Sequence, residues 1–429
     1  MLIKKYYIIQ KIEFQEFSLS DKYDLIVIGA GASGMISAIV SARDGNKVLL
    51  LEKLPKIGAK LKATGGGRCN LTNTLSNEDF MAKFGREGRF MRDCLTLFDH
   101  NDVVNFFKEI GVETHAPDGF RIFPTSHSSV SILSALEDEM KKLGIDVKCS
   151  QKVQHILVED SKVIGVKTQT QTFYSKNIIL ASGGLGYPTL GAEGDGYEMV
   201  EELGHKVTTL HPAMMPLKTK ESWVESCRAD TIPKVELRVD LKKAKKLKAV
   251  GDLIFTKDGI RGPVVLDFAR EITPLLDKYG EVPILLNLTK GMNGEQISKH
   301  LKDSAIKNPD FSTLEHIGTL LPTPLSNELC KLAGIDSKEK YNKIDGSSKA
   351  KLLKLLTWTP LTVVGHDGFK MAMITRGGIS LKEIEPKTME SKLVKGLYFC
   401  GEVINLDGPC GGYNLQLAFS SGYMAGKLL

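Results

Sequence analysis

Residues 24–52 place a short apolar run, a glycine turn, a helical stretch, a second apolar run and an acid within about thirty positions, an order that points to a dinucleotide-binding βαβ unit. Residues 24–28 (DLIVI) read as a buried parallel strand. The turn Gly29-Ala30-Gly31-Ala32-Ser33-Gly34 follows at once, and the helical pattern runs to about Asp44, where Gly45 is placed to stop it. Residues 48–51 form the next run, and Glu52 closes it. Gly29 suits the tight turn, Gly31 lacks the Cβ that would keep a pyrophosphate from the backbone, and Gly34 lets helix and strand pack closely. The partial positive charge of the helix N-terminus suits phosphates, and Glu52 stands where a carboxylate accepts from ribose hydroxyls. This pattern predicts a dinucleotide without choosing FAD over NAD.

Two later segments make that choice. Residues 177–181 (NIILA) read as a buried strand followed by Ser182-Gly183-Gly184 and Gly194-Asp195-Gly196, small residues that let backbone pass beside a bound cofactor. Residues 396–400 (GLYFC) end at Gly401-Glu402, and Gly411-Gly412-Tyr413-Asn414 opens a helix running to about Lys427. That N-terminus can point at the pyrimidine edge of a flavin, where N–H groups stabilise charge that grows on reduction. No second GxGxxG follows a later strand, so a separate NAD(P)H domain is not expected. NAD(P)H remains a candidate transient electron donor.

Composition narrows the remaining classes. A length of 429 residues predicts two or three folding units, and 42% hydrophobic with 25% charged residues is ordinary for globular chains. A net charge of +6 is too mild to suggest a nucleic-acid binder. Seven scattered cysteines without a C-x-x-C pair favour reduced thiols in a cytoplasm over disulfides or a metal site, and disfavour a thiol relay. Residues 1–20 lack the apolar core of a signal peptide and read as an extension, and no run reaches the ~18 apolar residues of a membrane helix.

The chain resembles the aminoacetone oxidase-like flavoproteins, including the BaiN-type and YhiN-type bacterial proteins. The resemblance rests on the loop KLKATGGGRCNLTN at 60–73, on Ile122-Phe123-Pro124, Gly183-Gly184, Gly194-Asp195-Gly196-Tyr197 and Gly377-Gly378-Ile379, and on the closing stretch from Gly401-Glu402 through Gly411-Gly412-Tyr413-Asn414 to Ser420-Ser421-Gly422. It covers about residues 22–429. It implies that Gly29, Gly31, Ala32, Ser33, Gly34, Glu52 and Lys53 hold the ADP half of FAD. Lys60, Thr64, Gly66, Arg68, Cys69 and Asn70 would line the pyrophosphate and isoalloxazine region, with Val153 touching adenine through its backbone. Gly183 and Gly401 would pass beside the cofactor, and Glu402, Asn414, Leu415 and Gln416 would close over ribityl chain and ring. Arg261, where the family usually has a small residue, and Pro409 and Cys410 before the Gly-Gly-Tyr-Asn turn depart from the pattern on the expected substrate side.

The expected fold class is α/β: a discontinuous Rossmann-type two-dinucleotide-binding FAD domain, residues 21–192 and 364–429, with an inserted β-rich subdomain (193–291 and 357–363) and a small helical one (292–356). The expected function is an FAD-dependent oxidoreductase moving hydride between flavin and a small organic substrate, by enone reduction or amine oxidation. The alternatives are a flavoprotein that binds or modifies RNA, for which only the lysine run at 242–248 and the mild basicity of the chain speak, and a non-catalytic FAD protein. Nucleic acid and membrane are not expected partners, no metal is expected, and the pattern names neither the catalytic residue nor the oligomeric state. Cys69 reads as a packed residue, Tyr413 as packing or a substrate donor, and His211 as a loop histidine.

Overall fold

The computed structural model describes residues 22–228 and 230–429; the expected extension, residues 1–20, lies outside them. In chain order the five strands of its central sheet are Leu25–Ile28 (β1), Val48–Leu51 (β2), Asp146–Lys148 (β3), Ile178–Leu180 (β4) and Leu397–Phe399 (β5), all parallel, in the order β5-β4-β1-β2-β3. Strands β1, β2, β4 and β5 are buried at every position, as a sheet covered on both faces requires. Ala32–Arg43 (α1) crosses from β1 to β2 and stops at Asp44, with Gly45 in the left-handed region (φ +89°). Ile178 pairs with both Ile26 and Leu397, so the sheet is closed by chain from both ends of the sequence.

The C-terminal helix Tyr413–Gly426 lies on α1 almost backbone to backbone. A Cβ on Gly422 would meet the Ser33 carbonyl, and one on Gly426 the Ser37 carbonyl. Four-residue spacing on both helices keeps these small residues on one face. The connection between β3 and β4 carries three strands, Val153–Glu159, Lys162–Thr168 and Thr172–Ser175, and Lys22–Tyr23, just before β1, pairs with the last of them to complete a four-stranded sheet.

The inserted body is a closed barrel of six strands, Leu217–Thr219, Gly259–Arg261, Lys248–Phe255, Thr231–Val239, Val282–Asn287 and Thr359–His366. Alternation drives it: in Thr231–Val239, Ile232, Val235, Leu237 and Val239 point inward. The run 242–248 is the hairpin between two barrel strands, with Lys242, Lys243, Lys245, Lys246 and Lys248 exposed. Within the segment expected to be β-rich, Pro263–Tyr279 forms a 17-residue helix, with Pro263 at its start and Gly280 after its end. The helices Gly294–Lys307, Thr323–Ala333 and Gly346–Thr357 share one apolar core with the barrel. The helix Asp195–Glu202, beyond the expected boundary at 193, instead buries Tyr197, Met199 and Val200 in the core of the central sheet.

The two bodies are joined by an antiparallel pair, His211–Ala213 with Ile374–Arg376. His211 is therefore a strand residue and not a loop histidine, and its Nδ1 lies 2.7 Å from Asp277 Oδ2 on the barrel helix. No helix among the described residues is long and apolar enough to cross a membrane.

Candidate active site

The end of β1 must turn sharply to start α1, and the glycines divide that work. Gly29 sits at φ +100°, and a Cβ there would lie 2.6 Å from the Ala181 carbonyl oxygen. At Gly34 a Cβ would run into the Gly29 carbonyl oxygen. At Gly31 a Cβ would meet nothing within 4 Å, because that position faces open space. The space is a cleft of about 820 Å³ that runs from the Rossmann turn to the barrel body.

Gly29, Gly31, Ala32, Ser33, Glu52, Lys53, Lys60, Thr64, Gly66, Arg68, Asn70, Val153, Gly183, Glu402, Asn414 and Leu415 all border the cleft. Four expected residues do not. Gly34 is consumed by helix packing, and Gly401 donates its N–H to Ser421 Oγ at 2.9 Å, with Ser33 filling the space a Cβ would need. Gln416 points into the core, where Nε2 donates to the Phe98 carbonyl (3.1 Å) and Ser420 Oγ (2.8 Å). Cys69 is fully buried, and burial pushes its thiol up to about 12. Tyr413 is also buried, packed against Phe80 and edge-on to Phe84, so it offers packing and not a donor to the cleft.

At one end of the cleft, Glu52 Oε2 accepts from Ala30 N–H (2.9 Å) and Oε1 from Leu54 N–H (2.8 Å), which fixes the carboxylate while leaving lone pairs for a diol. Beside it Lys53 bonds Glu193 (3.0 Å) and Asp195 (2.7 Å), and Lys152 bonds the same two acids. Burial alone would raise the Asp195 carboxyl, but the two lysines bring it below its ordinary range. Further along, Lys60 Nζ meets Glu402 Oε2 at 2.7 Å, and Glu402 Oε1 accepts from Thr375 N–H at 2.8 Å. In the amide orientation its neighbours demand, Asn70 accepts from Gly412 N–H at 3.0 Å, tying the glycine loop to the C-terminal turn. Arg68 and Arg121 flank the Phe123 ring, 5.7 and 5.9 Å from its centre.

The cleft fits a long anionic dinucleotide. Both α1 and the C-terminal helix begin at glycines, Gly31 and Gly412, without a side-chain cap or an acid in the first turn, so the first-turn N–H groups that follow these glycines are open to an anion, while the Gly412 N–H itself goes to Asn70. The Gly422–Ser33 and Gly426–Ser37 contacts set the C-terminal helix to begin about eight residues, roughly 12 Å, before α1 along the shared direction, so that it reaches past the α1 N-terminus. One N-terminus therefore serves each half of the cleft. Ser182 Oγ, on the cleft wall, is buried and without a partner in the protein. Among the described residues no cluster of three or more metal-ligating side chains occurs.

Sequence reasoning missed most of the opposite end. Its wall is Met214, Pro263, Leu266, Met373, Ile374 and Leu406, with Asp407, Pro409 and Cys410 in the loop before the C-terminal helix. Arg270 of the barrel helix holds that loop through Nε to Asp407 Oδ2 (2.5 Å) and Nη2 to the Asp407 carbonyl (2.7 Å). Pro409 and Cys410 thus stand on the cleft, whereas Arg261, the other departure from the family pattern, is an exposed strand residue away from it.

The family model described as the HI0933-like protein Rossmann domain matches residues 23–428. A 3-dehydro-bile acid delta(4,6)-reductase of Clostridium scindens is 31% identical over 409 residues, covering 94% of this chain and 97% of that protein. A ribosomal RNA dihydrouridine synthase of Escherichia coli K12 is 27% identical over 403 residues, with 94% and 97% covered. Among solved structures, a 3-ketosteroid delta1-dehydrogenase from Sterolibacterium denitrificans, in complex with 1,4-androstadiene-3,17-dione, superposes with a TM-score of 0.54 at 12% identity, covering 95% of this chain and 99% of that one. That last likeness is one of fold.

Proposed function

Since the chain belongs to the HI0933-like Rossmann family and is an FAD-dependent oxidoreductase, we propose that it reduces a carbon–carbon double bond conjugated to a carbonyl in a small, largely apolar molecule. The observation that carries this reading is the continuity of the dinucleotide cleft with the apolar wall of Met214, Pro263, Leu266, Met373 and Ile374, which suits a flat hydrocarbon skeleton. The relative named for bile-acid reduction supports the same chemistry, because a 3-oxo group conjugated to a Δ4 bond is an enone.

In this reading the α1 N-terminus and Gly31 take the diphosphate, Glu52 accepts from the ribose, and Val153 borders the adenine. Lys60, held by Glu402, and Asn70 border the ring end with Arg68, whose guanidinium can polarise the substrate carbonyl. The N–H groups that open the C-terminal helix stabilise negative charge at the pyrimidine edge. When bound there, FAD supplies the hydride chemistry. NADH or NADPH is the proposed electron donor.

The test is anaerobic. Titration with NADPH and then NADH should bleach the oxidised-flavin bands, and a 3-oxo-Δ4 steroid acid should restore them. Restoration by no enone, together with bleaching by a primary amine such as aminoacetone, would assign amine oxidation instead. Absence of flavin bands after reconstitution with FAD would remove the cofactor from the reading.

A second reading is favoured by the dihydrouridine synthase relative and the exposed lysine hairpin at 242–248. Uracil carries a C5=C6 bond conjugated to its C4 carbonyl, so the same chemistry applies with RNA as substrate. Binding of unmodified ribosomal RNA that weakens steeply with salt, with reoxidation by that RNA and not by steroid enones, would select it.

A further inference from the structure

Conjugate reduction needs two deliveries: a hydride at the β-carbon and a proton at the α-carbon. The apolar end of the cleft holds few groups able to make the second. Its aliphatic and thioether side chains carry no dissociable proton, Asp407 is locked on Arg270, and Asn414 donates to the Gly408 carbonyl at 2.9 Å. Cys410 is different. It borders the cleft beside Met214, Leu266 and Ile374, half-buried, and is paired with a second ionisable group. Asp267, on the barrel helix one turn before Arg270, accepts the Cys410 N–H at 2.6 Å, and its carboxylate charge acts on the thiol.

Resting on the enone reading above, we propose that Cys410 is a catalytic residue, the acid that protonates the substrate α-carbon, and that Asp267 is the positioning residue that holds and recharges it. The electron balance is closed. The reduced flavin, as hydride donor, gives two electrons and one hydrogen to the β-carbon, the C=C bond breaks, and its electron pair moves onto the α-carbon and carbonyl oxygen. Rotation about Cβ–Sγ turns the S–H toward the cleft, a C–H bond forms at the α-carbon, and sulfur keeps the S–H electron pair. The carboxyl of Asp267 in its protonated form returns a proton to sulfur and is itself refilled from solvent. Burial first, then the Asp267 carboxylate, raises the Cys410 thiol, so the proton is in place at neutral pH. Burial also raises Asp267, against the lowering effect of its bond from the Cys410 N–H and the charge of Arg270. Tyr413 is the other titratable group near Asp267.

The experiment compares wild type, Cys410→Ala, Cys410→Ser, Asp267→Asn and Tyr187→Phe, since Tyr187 also borders the cleft with a hydroxyl. Each is loaded with FAD, reduced anaerobically and mixed with a 3-oxo-Δ4 steroid acid in D2O. Cys410→Ala should reoxidise about 100-fold more slowly, the usual worth of a positioned acid, while Cys410→Ser should recover most of the rate. Wild type should place α-deuterium on one face of the product, and Cys410→Ala on both. In the FAD-free proteins, iodoacetamide should label Cys410 several-fold faster in Asp267→Asn than in wild type, because the carboxylate no longer opposes the thiolate. Wild-type rate and one-sided deuteration in Cys410→Ala, or their loss in Tyr187→Phe alone, would overturn the proton-donor role and leave the enone reading standing. Unchanged labelling in Asp267→Asn would overturn the hold of Asp267. Failure of the wild type to react with any enone would instead bring down the enone reading, and this inference with it.

Discussion

At the Glu52 end of the cleft the wall is backbone and paired charge: a glycine turn, a helix N-terminus, a carboxylate bonded to two N–H groups, and two lysines matched to two acids. At the Cys410 end it is side chains drawn from the barrel helix, the linking strands and the loop before the C-terminal helix. Backbone geometry and charge pairing suit a group that is always the same. An apolar wall held by a few long-range polar contacts can be reshaped one residue at a time, which suits a substrate that differs among relatives. The two ends also differ in what a substitution should damage. The first end is coupled to cofactor binding, the second to the seating of one body on the other.

The largest effects should separate folding from binding within a single turn. Gly34→Val drives a side chain into the Gly29 carbonyl and should cost about 3 kcal/mol or more, to the point of insoluble expression. Gly31→Val puts its side chain into open cleft, so the apoprotein should melt within a degree or two of wild type. FAD affinity should fall by roughly 2 kcal/mol or more, the worth of a charged hydrogen-bond set. Flavin content after reconstitution, set beside the melting temperature, checks both. Gly31→Val with a full flavin complement would break the assignment of that end.

The turn was legible because its logic is local: strand, glycines, helix and acid lie within one βαβ unit, and each glycine has its own steric reason. The Cys410 end was not, because Asp407 and Arg270 lie 137 positions apart and Cys410 and Asp267 lie 143 apart, and no spacing encodes such a partner. Other misses had a signal. Apolar residues at 264, 265, 268, 269, 272 and 276, after Pro263 and before Gly280, carry a helical period inside a segment that strands on either side made look β-rich. Gln416 shares a helix face with Ser420, and that face turns inward to the Phe98 carbonyl. Cys69 lies between cleft residues Arg68 and Asn70, yet it turns into the core at φ 58°.

Between the two ends stand contacts of intermediate worth. Asp407→Ala removes the partner of Arg270, a cation whose side chain is only 11% exposed, and should cost about 3 kcal/mol, the usual penalty for stranding one member of a buried pair. Because that pair fastens the loop carrying Pro409 and Cys410 to the barrel helix, steroid binding should weaken more than FAD binding. Equal weakening of both would erase the distinction drawn between the ends. Glu402→Gln is milder: it loses the Lys60 charge but can still accept from Thr375 N–H. It should cost about 1 kcal/mol in a urea titration, an effect reduced by added salt.

The smallest effect asks whether the two bodies unfold together. Each buries one histidine. In the central-sheet body, Ser391 Oγ accepts from Leu393 and Val394 N–H, which leaves its O–H to donate to His205 Nε2 (2.9 Å), while Nδ1–H donates to Glu383 (3.3 Å). In the barrel body, His316 Nδ1 lies 2.8 Å from Ser304 Oγ. Burial lowers both imidazoles below their ordinary range, against the opposing charge of Glu383 in one case and Glu315 in the other. A base whose folded pKa is depressed leaves the unfolded chain holding more protons between that value and about 6.5, so stability rises with pH across that window and is lost as pH falls through it. Both bodies should therefore melt earlier at pH 5.5 than at pH 7.5. If Arg270–Asp407 and the linking strands make them one cooperative unit, His205→Gln and His316→Gln should each flatten the acid side of a single calorimetric transition. If the cleft is a seam between separate units, each variant should flatten only one of two transitions, and the Asp407→Ala chain should display that split even where the wild type does not.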